Sequence, residues 1–233
     1  MKTQAIDVRG ATKNFRLHTQ GDVEIGVFQD LSLTVEFGSC VALHGPSGCG
    51  KSTLLRALYA NYRIDRGSIR VRHDQGWVDM AIATPREILA VRQRSLGYVS
   101  QFLRVIPRVA TLDIVAEPLR QRGVPDDVAR DQAVILLRRL NVPERLWELA
   151  PATFSGGEQQ RVNIARGFIA GFPIMLLDEP TAALDAENRA VVKEIILEAK
   201  AEGRAIVGIF HDAEIRAAVC DQLFELAQFK AAA

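Results

Sequence analysis

Residues 40–60 read CVALHGPSGCGKSTLLRALYA: an apolar run, a loop with three glycines in six residues, then helical spacing. An apolar strand that passes directly into a helix does not return as a hairpin. Its neighbours must be reached by crossovers, which calls for a parallel sheet covered by helices on its faces. The loop adds a chemical constraint. Gly45, Gly48 and Gly50 allow backbone N–H groups to turn inward around phosphate oxygens at the positive end of the following helix. In this strand–loop–helix context, GPSGCGKS is a strong phosphate-loop signal. Lys51 is expected to reach the β- and γ-phosphates of a nucleotide and Ser52 to ligate Mg²⁺, with Pro46, Ser47, Cys49 and Thr53 completing the cradle.

Two further apolar strands end in chemistry-bearing residues. IMLLDEP ends in Asp178, expected to hold Mg²⁺ through water, and Glu179, which can accept a proton from a water attacking the γ-phosphate. AIVGIF leads to His211, placed to hydrogen-bond the γ-phosphate. Ligands gather at the carboxyl ends of strands in such sheets, so the three sites are expected to converge.

The chain of 233 residues, 48% of them hydrophobic, is read as one α/β domain over residues 1–233. Residues 1–43 alternate in short runs and predict a β-rich layer. GSIRVRHDQGWVDM predicts a hairpin around Asp74–Gly76, and LGYVSQ a short strand. DDVARDQAVILLRRLN places Ala129, Ala133, Leu136, Leu137 and Leu140 on one helical face, with Asn141 and Pro143 to end it. A helical subdomain is therefore expected at about 110–165, inserted in a mostly parallel core.

A second glycine turn, SGGEQQR, opens another helix with Ser155, Gly156 and Gly157. It has the character of a second phosphate clamp. It serves either the same nucleotide or that of a second molecule.

Net charge is +1, which supplies no field for nucleic acid. The apolar run at 167–177 is too short to span a bilayer and is broken by Pro173. With three unevenly spread cysteines and no signal pattern at the N-terminus, a cytoplasmic setting is expected.

GPSGCGKST, YVSQ, FSGGEQQR, MLLDEP, AALD and IFHD occur in this order, and the series resembles the ATP-binding-cassette family. That resemblance implies an ATPase that uses ATP and Mg²⁺ and packs head to tail, either with itself or with a related cassette. Ser155, Gly156 and Gly157 of one chain would complete the ATP site of the other. It also implies that Gln101 senses Mg²⁺ and the attacking water, that Asp185 bridges the dimer interface and that Phe15 stacks on adenine. The family usually has Tyr at that last position, and LSGGQ where this chain has Phe154 and Glu158.

LYANYRIDRGSI, SQFLRVIPRV and LNVPERLWELAPATFSGGEQQRVNIARGFI resemble one branch, the L components of bacterial carbon–phosphorus lyase systems. That branch implies soluble partner subunits that convert phosphonate and ATP to ribose-linked phosphonate triphosphates. The core motifs are shared with motor subunits of membrane transporters. In either case the segment after Gln101, with Arg104 and Arg108 among apolar residues, is expected to meet the driven partner.

Overall fold

The computed structural model describes residues 3–17, 23–103 and 108–230. Arg104 lies outside the described residues. The predicted β-rich layer is a four-stranded antiparallel sheet of β1 (Gln4–Leu17), β2 (Val23–Glu36), β4 (Arg66–His73) and β5 (Gly76–Asp79), in the order β2-β1-β4-β5. The hairpin expected around Asp74–Gly76 joins β4 to β5. His73 pairs with Gly76, and Asp74 takes the left-handed conformation (φ 50°) that a tight turn asks of a residue with a short polar side chain.

The second sheet has five strands, all parallel: β3 (Cys40–His44), β6 (Leu96–Val99), β7 (Ile174–Asp178), β8 (Ala205–Ile209) and β9 (Gln222–Glu225), in the order β6-β7-β8-β3-β9. Every residue of β7 and β8 is buried, as a sheet covered on both faces requires. Alternation along β3 sends Val41 and Leu43 to a core shared with the antiparallel sheet and α1 (Lys51–Leu58). Cys40 and Ala42 go to a second core shared with the helices of the opposite face. α6 (Ala186–Ala201) and α7 (Ala213–Val219) belong to that second layer.

α3 (Thr111–Arg120), α4 (Asp126–Arg139) and α5 (Gly156–Phe168) lie between β6 and β7, where the helical insertion was expected. On the predicted face of α4, Ala129, Ala133, Leu137 and Leu140 are buried and Leu136 is half-buried. Asn141 ends the helix in the left-handed conformation (φ 53°), a C-cap role that Asn shares with glycine.

Arg122, just past α3, ties this region to the core. Its guanidinium donates to the carbonyls of Gln93, Arg94 and Ala170 and lies 4.4 Å from the centre of the Phe172 ring. α2 (Pro85–Arg94) is absent from the pattern read from hydrophobic spacing because only Val91 on it is buried. Thr84 and Glu87 form the reciprocal capping box at its start. Among the described residues, no helix is long and apolar enough to cross a membrane.

Candidate functional site

The sheet order places β3 beside β8, β8 beside β7 and β7 beside β6, so the loops after these four strands share one edge. After β3, Gly45, Gly48 and Gly50 all have positive φ (138°, 77° and 101°). At Gly50 the constraint is also steric, because a Cβ would sit 2.5 Å from Val27 Cγ1 on the antiparallel sheet. Gly50 caps α1 without a side chain, which leaves the first N–H groups of the helix facing the loop. Lys51 folds back, its Nζ donating to the carbonyls of Gly45 (2.7 Å) and Pro46 (2.9 Å). A cation held by two neutral acceptors is available to a stronger anionic partner.

Asp178 is 1% exposed and accepts from Ser52 Oγ (3.2 Å) and Tyr98 OH (3.0 Å). Loss of solvent raises its pKa, and the two hydroxyl donors offset part of that rise. The same burial, with the neighbouring Asp178 carboxylate, pushes the Tyr98 phenol up and keeps it a donor. A buried carboxylate beside a hydroxyl is a set of hard oxygen donors short of positive charge, which fits Mg²⁺. Tyr98 was missed in the sequence: it is the third residue of a four-residue strand, and nothing there shows which way its hydroxyl points.

Glu179 follows at φ 53°, unusual for a residue with a side chain, and its N–H donates to Ile209 O on β8. This conformation turns the carboxylate away from the core toward its two expected companions. Gln101 Nε2 donates to Oε2 (3.1 Å), and His211 Nε2 faces Oε1 at 2.7 Å, where the carboxylate selects the tautomer with a proton on Nε2. Gln101, Glu179 and His211, read from three separate segments, therefore form one hydrogen-bonded cluster beside Asp178.

The second glycine turn is elsewhere. Ser155 caps α5, accepting from the Glu158 N–H (3.3 Å), while Glu158 accepts from the Ser155 N–H (2.9 Å) and hydroxyl (2.7 Å). These donors hold the Glu158 carboxyl below its ordinary range. Gly156 and Gly157 form the first turn. A Cβ on Gly157 would lie 3.0 Å from Ala183 O, and Gln160 Nε2 donates to Pro180 O (3.0 Å), so α5 packs on the chain that follows β7. Among the described residues, no hydrogen bond or ion pair joins this turn to residues 45–53.

Asp185 caps α6 through the Asn188 N–H (2.9 Å). Phe15, on β1, meets Tyr62 edge to face at 5.3 Å, with Lys13 Nζ 4.8 Å from its ring centre. Beside Gln101 a cleft of about 680 Å³ opens, lined in part by Arg56, Tyr59, Arg92, Phe102 and Arg166 and reaching Asp178. Phe102 is 76% exposed there. Arg108, with φ 64°, resumes the described chain within the segment expected to meet a partner.

A phosphate loop at one strand end, with a carboxylate pair and a histidine on the neighbouring strands, defines a nucleotide-hydrolysing P-loop protein. The family described as ABC transporter matches residues 28–182, and the chain belongs to this family of ATP-hydrolysing ATP-binding cassettes. The lipoprotein-releasing system ATP-binding protein LolD of Alcanivorax borkumensis is 36% identical over 217 residues, covering 93% of this chain and 92% of that protein. The macrolide export ATP-binding/permease protein MacB of Sodalis glossinidius is 34% identical over 212 residues, 91% of this chain. The chain spans 31% of that MacB, about a third of its length. The dimeric structure of a post-hydrolysis state of an ATP-binding cassette bound to ADP and Pi superposes with a TM-score of 0.85 at 25% identity, covering 95% of each chain.

Proposed function

We propose that this chain is the motor subunit of a membrane transporter, binding ATP at residues 45–53 and hydrolysing it as one half of a head-to-tail pair. The observation that carries the catalytic reading is the Glu179 carboxylate, held between Gln101 and His211 next to Asp178. Lys51 exchanges the carbonyls of Gly45 and Pro46 for the β- and γ-phosphates. Ser52, Asp178 and Gln101 would hold Mg²⁺, which supplies charge neutralisation along the triphosphate. Glu179 accepts the proton of the attacking water as its oxygen bonds to the γ-phosphorus and the bridge to the β-phosphate breaks. His211 holds the carboxylate in place before the nucleotide binds, and its Nε2–H turns to the γ-phosphate once that arrives.

Phe15 supports the adenine, with Tyr62 behind it. Ser155, Gly156 and Gly157 act on the partner's γ-phosphate. This is supported by the attachment of α5 to its own chain at Pro180 and by the dimeric cassette that the fold matches. Asp185, at the start of α6, lies at the junction of the pair.

The transporter assignment rests on relatives named for lipoprotein release, macrolide export and arginine transport. The cleft with the exposed Phe102 is where the driven subunit would dock. A second reading, a soluble complex that processes phosphonates, is favoured by the extended segments LYANYRIDRGSI and SQFLRVIPRV. Purification of the tagged chain from detergent extract and from cytosol separates the two. An integral membrane protein bound through the Phe102 cleft supports the motor, whereas a detergent-independent complex of soluble subunits replaces it with the phosphonate reading.

A further inference from the structure

On the far side of the parallel sheet, two thiols meet. Cys40 begins β3 and is fully buried; Cys220 caps the end of α7 and is partly exposed. Their sulfurs are 3.6 Å apart although 180 positions separate them in the chain. The backbones on either side are already fastened. The Asp221 N–H donates to Cys40 O (2.9 Å), and the Cys40 N–H donates to the Asp221 carboxylate (2.8 Å). Lys200 Nζ completes the corner, donating to Val219 O (2.9 Å) and Asp221 Oδ1 (3.1 Å).

We propose that Cys40 and Cys220 are a dithiol oxidation site, closed to a disulfide by hydroperoxides. A disulfide needs the sulfurs about 2.05 Å apart, so they must approach by about 1.5 Å, within reach of side-chain rotation on backbones so held. The partly exposed Cys220 is the attacking thiol, and Lys200 is fastened to the residues on either side of it, Val219 and Asp221. Its thiolate attacks the outer peroxide oxygen, the O–O bond breaks, and the departing alkoxide takes a proton to leave as alcohol or water. Cys220 is then a sulfenic acid. The Cys40 sulfur attacks it, the S–O bond breaks, and hydroxide leaves with the Cys40 proton as water. Two thiols lose one electron each, and one peroxide gains two. The hydrogen bond to Cys220, and then burial, push the Cys40 thiol up and keep it protonated until that second step.

The bond would fasten the start of the strand that feeds the phosphate loop to the helix that follows His211. This inference is independent of the nucleotide site and of the transporter reading. Cys49 serves as internal control, since it belongs to the core on the other face of the sheet. The full-length protein is treated with hydrogen peroxide, denatured, and its free thiols counted and mapped. The expected result is a fall from three thiols to one, with an intramolecular peptide link between Cys40 and Cys220 that dithiothreitol removes. In Cys40→Ser, dimedone should trap Cys220 as the sulfenic acid, and in the wild type it should trap little. Three surviving thiols, a link that includes Cys49, or equal dimedone capture in both proteins would overturn the proposal. If Cys40→Ser does not fold, Cys220→Ser provides the check: Cys40 should then resist peroxide, and its ready oxidation would reverse the assigned order.

Discussion

Glu179 presents its carboxylate from an unfavourable backbone conformation, so catalysis and stability should separate at this residue. A left-handed conformation costs a residue with a Cβ about 1–2 kcal/mol, which Glu179→Gly releases. Against this, the freedom of glycine in the unfolded chain takes back about 0.5–1 kcal/mol. The hydrogen bonds with Gln101 and His211 are worth about 0.5–1.5 kcal/mol each. The lower end applies to His211, whose side chain is 62% exposed and can turn to water. These contributions nearly cancel, and the melting temperature of Glu179→Gly should lie within about 4 °C of wild type, the shift that about 1 kcal/mol gives a domain of this size. Glu179→Ala keeps the strain and loses the bonds, so it should be the less stable of the two by about 1 kcal/mol in urea melts. Both should lose roughly 10²–10⁴-fold in Mg-ATP turnover, the range for removal of a general base. An alanine variant more stable than the glycine one would refute the strain argument. Retained turnover in either would remove Glu179 from the chemistry.

Asp178→Asn should stabilise the nucleotide-free protein at neutral pH. Burial raises the native pKa of Asp178 above its unfolded value, so its favourable contribution is full below the ordinary carboxylate range and is lost as pH rises through the native pKa. The advantage of the variant should therefore shrink on acidification, and a constant advantage from pH 3 to pH 7 in thermal melts would contradict it. Glu179→Gln with ATP should give a tighter pair that the added Ser155→Arg dissolves; light scattering reads this, and monomers in all mixtures would count against pairing through α5. Cys49 is 4% exposed, and its sulfur lies where a Cβ on Gly45 would come within 2.8 Å of it. Maleimide should therefore react slowly with the folded protein and faster after denaturant, and rapid native labelling would mean that the loop opens more freely than its packing implies.

The elements that carry the site were legible because local signals and tertiary demands coincide there. The phosphate loop needs three positive-φ positions and has three glycines, and β8 and the residues of β7 before Asp178 are apolar because both faces are covered. Convergence of Asp178, Glu179 and His211 followed from the rule for strand ends. Gln101 entered through family resemblance, and its bond to Glu179 emerged only from the sheet order. Tyr98 and Tyr62 stayed hidden, since an aromatic on a short strand or loop reads as core until its neighbours are placed. The Cys40–Cys220 contact was equally invisible: adjacency between β3 and β9 brings them together, and no spacing rule reaches across 180 positions. α2 was missed for a different reason, because its stability comes from its cap and its ends rather than from an apolar face.

The attachment of α5 to the chain after β7 has a consequence for timing. In the proposed head-to-tail pair, the Ser155 turn would touch one nucleotide and Glu179 would activate water at the other, yet Gln160 binds the carbonyl of the residue next to Glu179, and Gly157 rests against Ala183. A shift of the turn as one phosphate departs must therefore be felt at the opposite carboxylate, through contacts too close-packed to absorb it. In that pair each subunit would act as a gear tooth meshed with both nucleotides, and the two ATP molecules would be consumed in phase rather than by independent clocks.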